Sequence, residues 1–338
     1  MSLAKNDDFC NVDIIEGTGE ILRDKTDSGK IRPWSKKKMS SLELAKLFHL
    51  ALEKDETIIT PARLFDLENC GSFLKFAETP DGKRKLVDAN FCRLRLCPMC
   101  NWRRSLKMFC QVSEVTNLIL SEKPTVRFLF VTLTIKNVDG ENLQKTMDAM
   151  NDAFKKFVNK NHKISYSETL KNSLLGYMKA FEVTYNSREN NFHPHIHCLF
   201  EVKAEYFSGR NYIKQSEWRE MWKKAMKLEY LPLVNVKVIK KSTSKAVAEL
   251  AKYPTKIENL TKLKNESQAV DALITLKNSL HGRRLLTFGG DFKEYRRRLK
   301  LDDVENGDLI HTSEENEGVN IIAYTLFKFD VGFGVYVC

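Results

Sequence analysis

The clearest regularity in the chain is a change of hydrophobic period after residue 136. Residues 126–136 hold the run Phe128-Leu129-Phe130-Val131-Thr132-Leu133-Thr134-Ile135, rich in β-branched and aromatic side chains, which predicts a strand. Over 141–160 the apolar positions Leu143, Met147, Met150, Phe154, Phe157 and Val158 fall three or four apart, the stripe of an amphipathic helix. Two further strands are predicted at 177–185 and 191–202, joined by the polar turn 186–190. Ser216 is placed to cap a helix bearing Trp218, Met221, Trp222 and Met226, and 233–240 reads as a strand, with a short helix over 244–252. The order β-α-β-β-α-β-α predicts an α+β fold, an antiparallel sheet covered by helices.

The flanks are patterned more weakly. Leu42, Leu44, Leu47, Phe48, Leu50 and Leu52 predict a helix starting at Ser40 or Ser41, and Asp81-Gly82 marks a hairpin turn. Trp102, Leu106, Phe109, Val112, Val115 and Ile119 recur at helical spacing, with Arg103, Arg104 and Lys107 off that stripe. Residues 283–299 are basic, 301–318 acidic and loop-like, and 320–337 reads as a terminal hairpin. The organisation expected is a basic N-terminal region (1–60), a cysteine-rich segment with a basic helix (61–122), the α/β unit (123–258) and a C-terminal extension (259–338). There is no internal repeat or long low-complexity tract.

Charge narrows the class. Fifty-five Lys and Arg against 44 Asp and Glu leave a net charge of +11, which points to a polyanionic partner, most simply nucleic acid. Lys30, Arg32 and Trp34 interleave cations with an aromatic ring, as phosphate contacts beside a stacking platform would, although a solvated loop has the same composition. Arg93, Arg95, Arg103 and Arg104 form a second basic group. No apolar run approaches the roughly 20 residues that span a bilayer, and the first residues lack the apolar core of a secretory signal. A soluble, cytoplasmic protein is expected, with its eight cysteines as thiols or metal ligands.

The candidate chemistry begins with His193-Pro194-His195-Ile196-His197. On a strand these three imidazoles share one face, a good arrangement for a divalent metal and a poor one for a core. A solvated histidine-rich edge strand, or a structural zinc site with Cys198, would give the same run. If the 186–190 turn is symmetric, Glu182 falls opposite His195 and supplies a carboxylate to a site suited to Mn²⁺ or Mg²⁺. Cys97-x2-Cys100 is a two-ligand knuckle that Cys92 and Cys70 can complete as a zinc site; unrelated buried thiols are the alternative. Glu249 and Tyr253 lie one helical turn apart before Pro254, where a phenol can project, and a metal would supply the electrophilic help that a phenol nucleophile needs.

Taken together, Phe130-Val131-Thr132-Leu133-Thr134, Phe192-His193-Pro194-His195-Ile196-His197 and Glu249-Leu250-Ala251-Lys252-Tyr253-Pro254-Thr255-Lys256 resemble the motifs of plasmid rolling-circle replication initiators in the HUH endonuclease superfamily. Matches also occur at Arg23–Thr26, Gly29–Trp34 and Cys92–Ser105, so the similarity spans about residues 23–300. The resemblance implies a ferredoxin-like antiparallel sheet and nicking of DNA at a plasmid origin. By it His195 and His197 bind the metal, with Glu182 and His193 as further candidates. Tyr253 attacks the scissile phosphate to give a 5′-phosphotyrosine link and a 3′-hydroxyl primer, and Glu249 activates water to end the cycle. Lys252 and Lys256 join the DNA-contacting cations. Leu250 departs from the family, where a threonine often stands. The implied partners are origin DNA, a host helicase and a polymerase, with a homodimer as a candidate assembly. An HUH relaxase or transposase is the rival within this chemistry, and a zinc-stabilised DNA-binding regulator without catalysis is the rival outside it.

Overall fold

The computed structural model describes residues 14–15, 17–26, 28–159, 168–208, 211–239, 247, 259–312 and 321–338. The N-terminal part comprises β1 (Ile14–Ile15), α1 (Trp34–Leu52), α2 (Pro61–Glu68), β2 (Phe73–Glu78), β3 (Arg84–Ala89) and α3 (Pro98–Glu122). The middle part runs β4 (Arg127–Thr134), α4 (Gly140–Val158), α5 (Glu168–Ser173), β5 (Leu174–Asn186), β6 (Asn191–Val202), α6 (Gln215–Met226) and β7 (Val234–Ile239). The chain finishes with α7 (Glu266–Leu280), β8 (Leu286–Gly290), α8 (Asp291–Arg298), β9 (Ala323–Asp330) and β10 (Val335–Val337). No helix among the described residues is long and apolar enough to cross a membrane.

The middle strands form a five-stranded sheet in the order β7-β4-β6-β5-β8, every neighbour antiparallel. This is the α+β sheet that the hydrophobic pattern predicts, and the 244–252 helix lies outside the described residues. Strand alternation assigns the two faces. Leu129, Val131, Leu133, Phe181, Ile196 and Phe200 turn to one side, where Met147 and Phe154 of α4 and Trp218 and Trp222 of α6 cover them. Phe128, Phe130, Met178, Ala180 and Leu199 turn to the other, under Met108, Val112 and Val115 of α3 and Phe292 of α8; Val247 is buried in this same cluster. The histidines stand on this second face, beyond the apolar cluster.

Two glycines let α8 close on the sheet. A Cβ on Gly176 would lie 2.9 Å from the Asp291 nitrogen, and one on Gly290, at φ +57°, would meet the Leu175 carbonyl at 2.0 Å. Glu201 is buried at this junction, and among the described residues neither of its carboxylate oxygens has a hydrogen-bond partner. Burial, with the negative Asp291 nearby, pushes its carboxyl from the usual 4.5 up to about 8, against the pull of Lys123. The folded chain therefore holds a proton there that the unfolded chain has released. Stability falls as pH rises from about 4.5 to about 8 and the contribution is level above that. Glu201→Gln is expected to remove this slope, melting on the order of 5 °C above the parent at pH 9 and close to it near pH 5, by calorimetry. An equal shift at both pH values would show that the carboxyl does not titrate in this way.

The second sheet links the two ends of the chain. The hairpin β2–β3 turns at Asp81-Gly82 as predicted, β9 pairs antiparallel with β2, β10 folds back on β9, and β1 runs parallel to β9. The terminal hairpin predicted over 320–337 thus completes the N-terminal sheet.

Helix α1 starts earlier than its leucine pattern suggests, at Trp34 directly after Pro33 rather than at Ser40 or Ser41. Ser41 is mid-helix, its hydroxyl donating to the Lys37 carbonyl at 3.0 Å. Trp34 is anchored by its Nε1–H donating to Asp24 at 2.7 Å and packs edge-on against Trp102, centroids 4.5 Å apart. Its burial corrects the expectation that it offers DNA a stacking face.

Arg103 and Arg104 of α3 are corrected likewise. Both are buried, along with Lys107, because the acidic segment after α8 lies across them. Arg103 donates to the carbonyls of Leu309 and Ile310 (2.8 and 2.5 Å), Arg104 to those of Glu305 and Arg93 (3.0 and 2.6 Å), and Lys107 pairs with Asp302. These guanidinium groups satisfy backbone carbonyls inside the protein and are not free for phosphates.

Candidate active site

The β5–β6 hairpin sets the site. Its ladder pairs Asn186 with Asn191 across the turn, and counting back places Glu182 directly opposite His195, the register that the symmetric turn implied. On the other side of β6, Thr132 of β4 lies opposite His197. One carboxylate and two imidazoles therefore meet on one face, and all three are buried or nearly so.

Their geometry converges on one point. Nε2 of His195 and Nε2 of His197 stand 3.2 and 3.1 Å from the same oxygen of Glu182. Two adjacent ligands on an octahedral ion, with bonds near 2.1 Å, would be separated by about 3.0 Å. The rings are oriented from behind. His195 Nδ1–H donates to the His193 carbonyl at 3.1 Å, which turns its Nε2 toward Glu182, and His197 Nδ1 is 3.1 Å from the Thr132 hydroxyl. Phe130 stacks on the His197 ring at 5.6 Å. Burial would raise the Glu182 carboxyl, but the hydrogen bonds and positive charge of the two histidines outweigh it and hold the group well below the usual carboxylate range. An anionic oxygen beside two nitrogen donors is a hard, mixed set that fits a divalent cation.

His193 is outside this donor set. Its ring stacks on that of His195, centroids 5.1 Å apart, on the solvent side of the cluster. Thr132 and Phe130 were not singled out as site residues from the sequence, although both lie in the first motif and alternate toward the histidine face. Glu249, Tyr253, Lys252 and Lys256 lie outside the described residues.

The second cluster lies under α1. Cys70, Cys92, Cys97 and Cys100 bring their sulfurs together, with Cys70–Cys100 at 3.6 Å, Cys92–Cys100 at 3.7 Å and Cys70–Cys97 at 3.5 Å. Four thiolates around a tetrahedral ion, with bonds of about 2.3 Å, would stand about 3.8 Å apart. Backbone N–H groups of Cys92 and Arg93 point at the Cys70 and Cys100 sulfurs (3.4 and 3.2 Å), and Ser41 Oγ lies 3.4 Å from Cys97. Such contacts spread thiolate charge. Arg93 adopts φ +59°, the turn that aims its N–H into the cluster. The spacing C-x2-C with two upstream cysteines was therefore a four-sulfur group rather than scattered thiols.

Among the remaining basic candidates, Lys30 and Arg93 are exposed. Arg32 is half-buried against Asp24 (3.4 Å) and Arg95 against Glu305 (3.3 Å).

Comparison with known proteins covers the strands that carry the Glu182–His195–His197 group. A family model described as a replication protein matches residues 83–334. The chain is similar to a protein rep of Streptococcus pneumoniae serotype 2, with 40% identity over 317 residues, 91% of this chain and 93% of that one. A protein rep of Lactiplantibacillus plantarum is 36% identical over 88% of this chain and 91% of its own length. A replication protein of Staphylococcus aureus is 40% identical over 63% of this chain and 92% of its own. No solved structure matches.

Proposed function

Since the chain belongs to the Rep family of replication proteins, the plasmid replication initiators, we propose that it nicks and rejoins single-stranded DNA at a plasmid origin, in a metal-dependent reaction of the rolling-circle type. The observation that carries this reading is the convergence of Glu182, His195 and His197 on one point of the sheet face that α3 and α8 cover. These three residues would hold Mn²⁺ or Mg²⁺, which when bound polarises the scissile phosphodiester.

Tyr253 is the nucleophile in this reading. Its phenolic oxygen attacks phosphorus, the bond from phosphorus to the 3′ oxygen breaks, and the phenolic proton ends on the departing 3′-hydroxyl. A phosphodiester becomes a phosphotyrosine ester, so the step can reverse and rejoin DNA. Chain connectivity supports the assignment. Val247 is buried in the apolar cluster on the histidine face, and Tyr253 follows six residues later, a reach of at most roughly 20 Å. Glu249, between them, is proposed as the general base toward water in the terminating hydrolysis. The four cysteines are proposed to hold a structural zinc ion.

The two roles separate experimentally. Tyr253→Phe is expected to leave neither nick nor covalent adduct. Glu249→Ala is expected to nick and to form the adduct, yet to fail at termination on a plasmid carrying two origins, so that multimeric products accumulate. Normal termination by Glu249→Ala would remove Glu249 from the mechanism.

A further inference from the structure

Beside the Glu182–His195–His197 group, a cleft of about 550 Å³ opens between the segment after β4 and the loop before β7. Its volume is within the range of small-molecule sites, roughly 300–1,000 Å³. His193 lines it and stacks on His195, so one imidazole ring stands between the cleft and the three-residue group.

The loop wall is fixed by backbone contacts. The Leu233 carbonyl accepts from the Thr134 nitrogen and hydroxyl (3.3 and 2.9 Å), and the Pro232 carbonyl accepts from Arg219 (2.8 Å). Tyr230 Oη accepts from the Lys136 nitrogen at 2.9 Å. With the backbone held this way, Leu231 and Leu233 remain 40% and 72% exposed, two aliphatic side chains presented to a cleft. The exposed Lys136 also lines the cleft and brings its ammonium over the Tyr230 ring, 4.5 Å from its centroid. Glu189 also lines the cleft, but its carboxylate is bonded to the amides of Asn186 and Asn191 (3.1 and 3.0 Å).

We propose that this cleft is a subsite for one unpaired nucleotide adjoining the scissile phosphate, its base lying against Leu231 and Leu233 and its phosphate at Lys136. The assignment rests on the DNA-nicking reading above and adds where the strand leaves the metal group. Aliphatic side chains and a cation in one cleft match a nucleotide, which carries a flat ring with apolar faces and an anionic phosphate. A duplex could not enter, because its bases are stacked and paired.

The test uses the full chain carrying Tyr253→Phe, so that binding is read without cleavage. Fluorescent single-stranded oligonucleotides spanning the nick site are compared by anisotropy with copies lacking one base at successive positions. One position flanking the nick is expected to weaken binding about tenfold when its base is removed. With Leu231→Ser and Leu233→Ser added, the intact oligonucleotide should bind about tenfold more weakly and that abasic position should cost nothing further. Lys136→Ser should weaken both oligonucleotides alike. If the intact strand binds and the leucine variants keep the same abasic profile, the subsite is overturned while the nicking reading stands. If no single strand binds the parent at all, the nicking reading itself fails, and the subsite with it.

Discussion

Replacing His197 with alanine is expected to lower metal-dependent nicking of single-stranded origin DNA roughly a thousandfold, while duplex binding persists. The ion is asked to offset charge developing on the phosphate, a contribution of several kcal/mol, and each 1.4 kcal/mol is about tenfold in rate. His197 supplies one of three convergent donors, so its loss leaves a two-ligand site. His195→Ala should behave alike. Thr132→Val removes only the hydroxyl beside His197 Nδ1 and should cost about tenfold to a hundredfold in metal affinity. His193→Ala should leave metal affinity near the parent value, because its ring is outside the donor set. Titration calorimetry with Mn²⁺ on the four variants checks the order. Undiminished Mn²⁺ affinity in a His195→Ala, His197→Ala double variant would contradict the site.

The cysteine cluster carries the second large effect. Cys97→Ser is expected to release about one zinc ion per chain and to lower the melting temperature by about 10 °C or more, since metal binding and folding are coupled. Cys97 is fully buried, and its thiol lies well below the usual range: burial opposes this, but the hydrogen bonds of Cys100, Cys70 and Cys92 outweigh it. The four sulfurs tie the turn before α3 to the segment between α2 and β2, and the cluster is buried against α1 through Ser41. Without an ion the remaining cysteines stand as protonated thiols, Cys70 and Cys92 being held well above the usual thiol range by their sulfur neighbours and by burial, and nothing then ties the segments together. Elemental analysis of parent protein purified without chelator should give about one zinc per chain. Absence of zinc there would remove the proposal, whatever the variant's stability.

The active-site strands were legible because their information is local. Period-two alternation put three histidines on one face, and a symmetric turn fixed Glu182 against His195, with no knowledge of the rest of the fold. The four cysteines were legible in part, since C-x2-C is a local signal whereas the approach of Cys70 depends on the packing of α1, α2 and α3. Long-range partners were not legible. Composition alone could not show that the stretch after α8 covers Arg103 and Arg104 with backbone carbonyls and pairs Lys107 with Asp302, so residues that look like a phosphate-binding face became interior. Trp34 misled for the same reason, because its partner Asp24 and neighbour Trp102 are brought in by the chain before α1 and by α3. The pairing of β9 with β2, some 250 positions apart, has no local signature at all.

In the proposed reaction a tyrosine of this chain becomes joined to the 5′ side of a nick. An origin oligonucleotide carrying different fluorophores at its two ends, incubated with Mn²⁺ and run on a denaturing gel, tests it most directly. The 3′-labelled fragment is expected to migrate with the protein while the 5′-labelled fragment is released with a 3′-hydroxyl that a polymerase can extend, and Tyr253→Phe should abolish both bands. Nicked DNA with no protein-linked fragment, or an adduct that survives Tyr253→Phe, would contradict it.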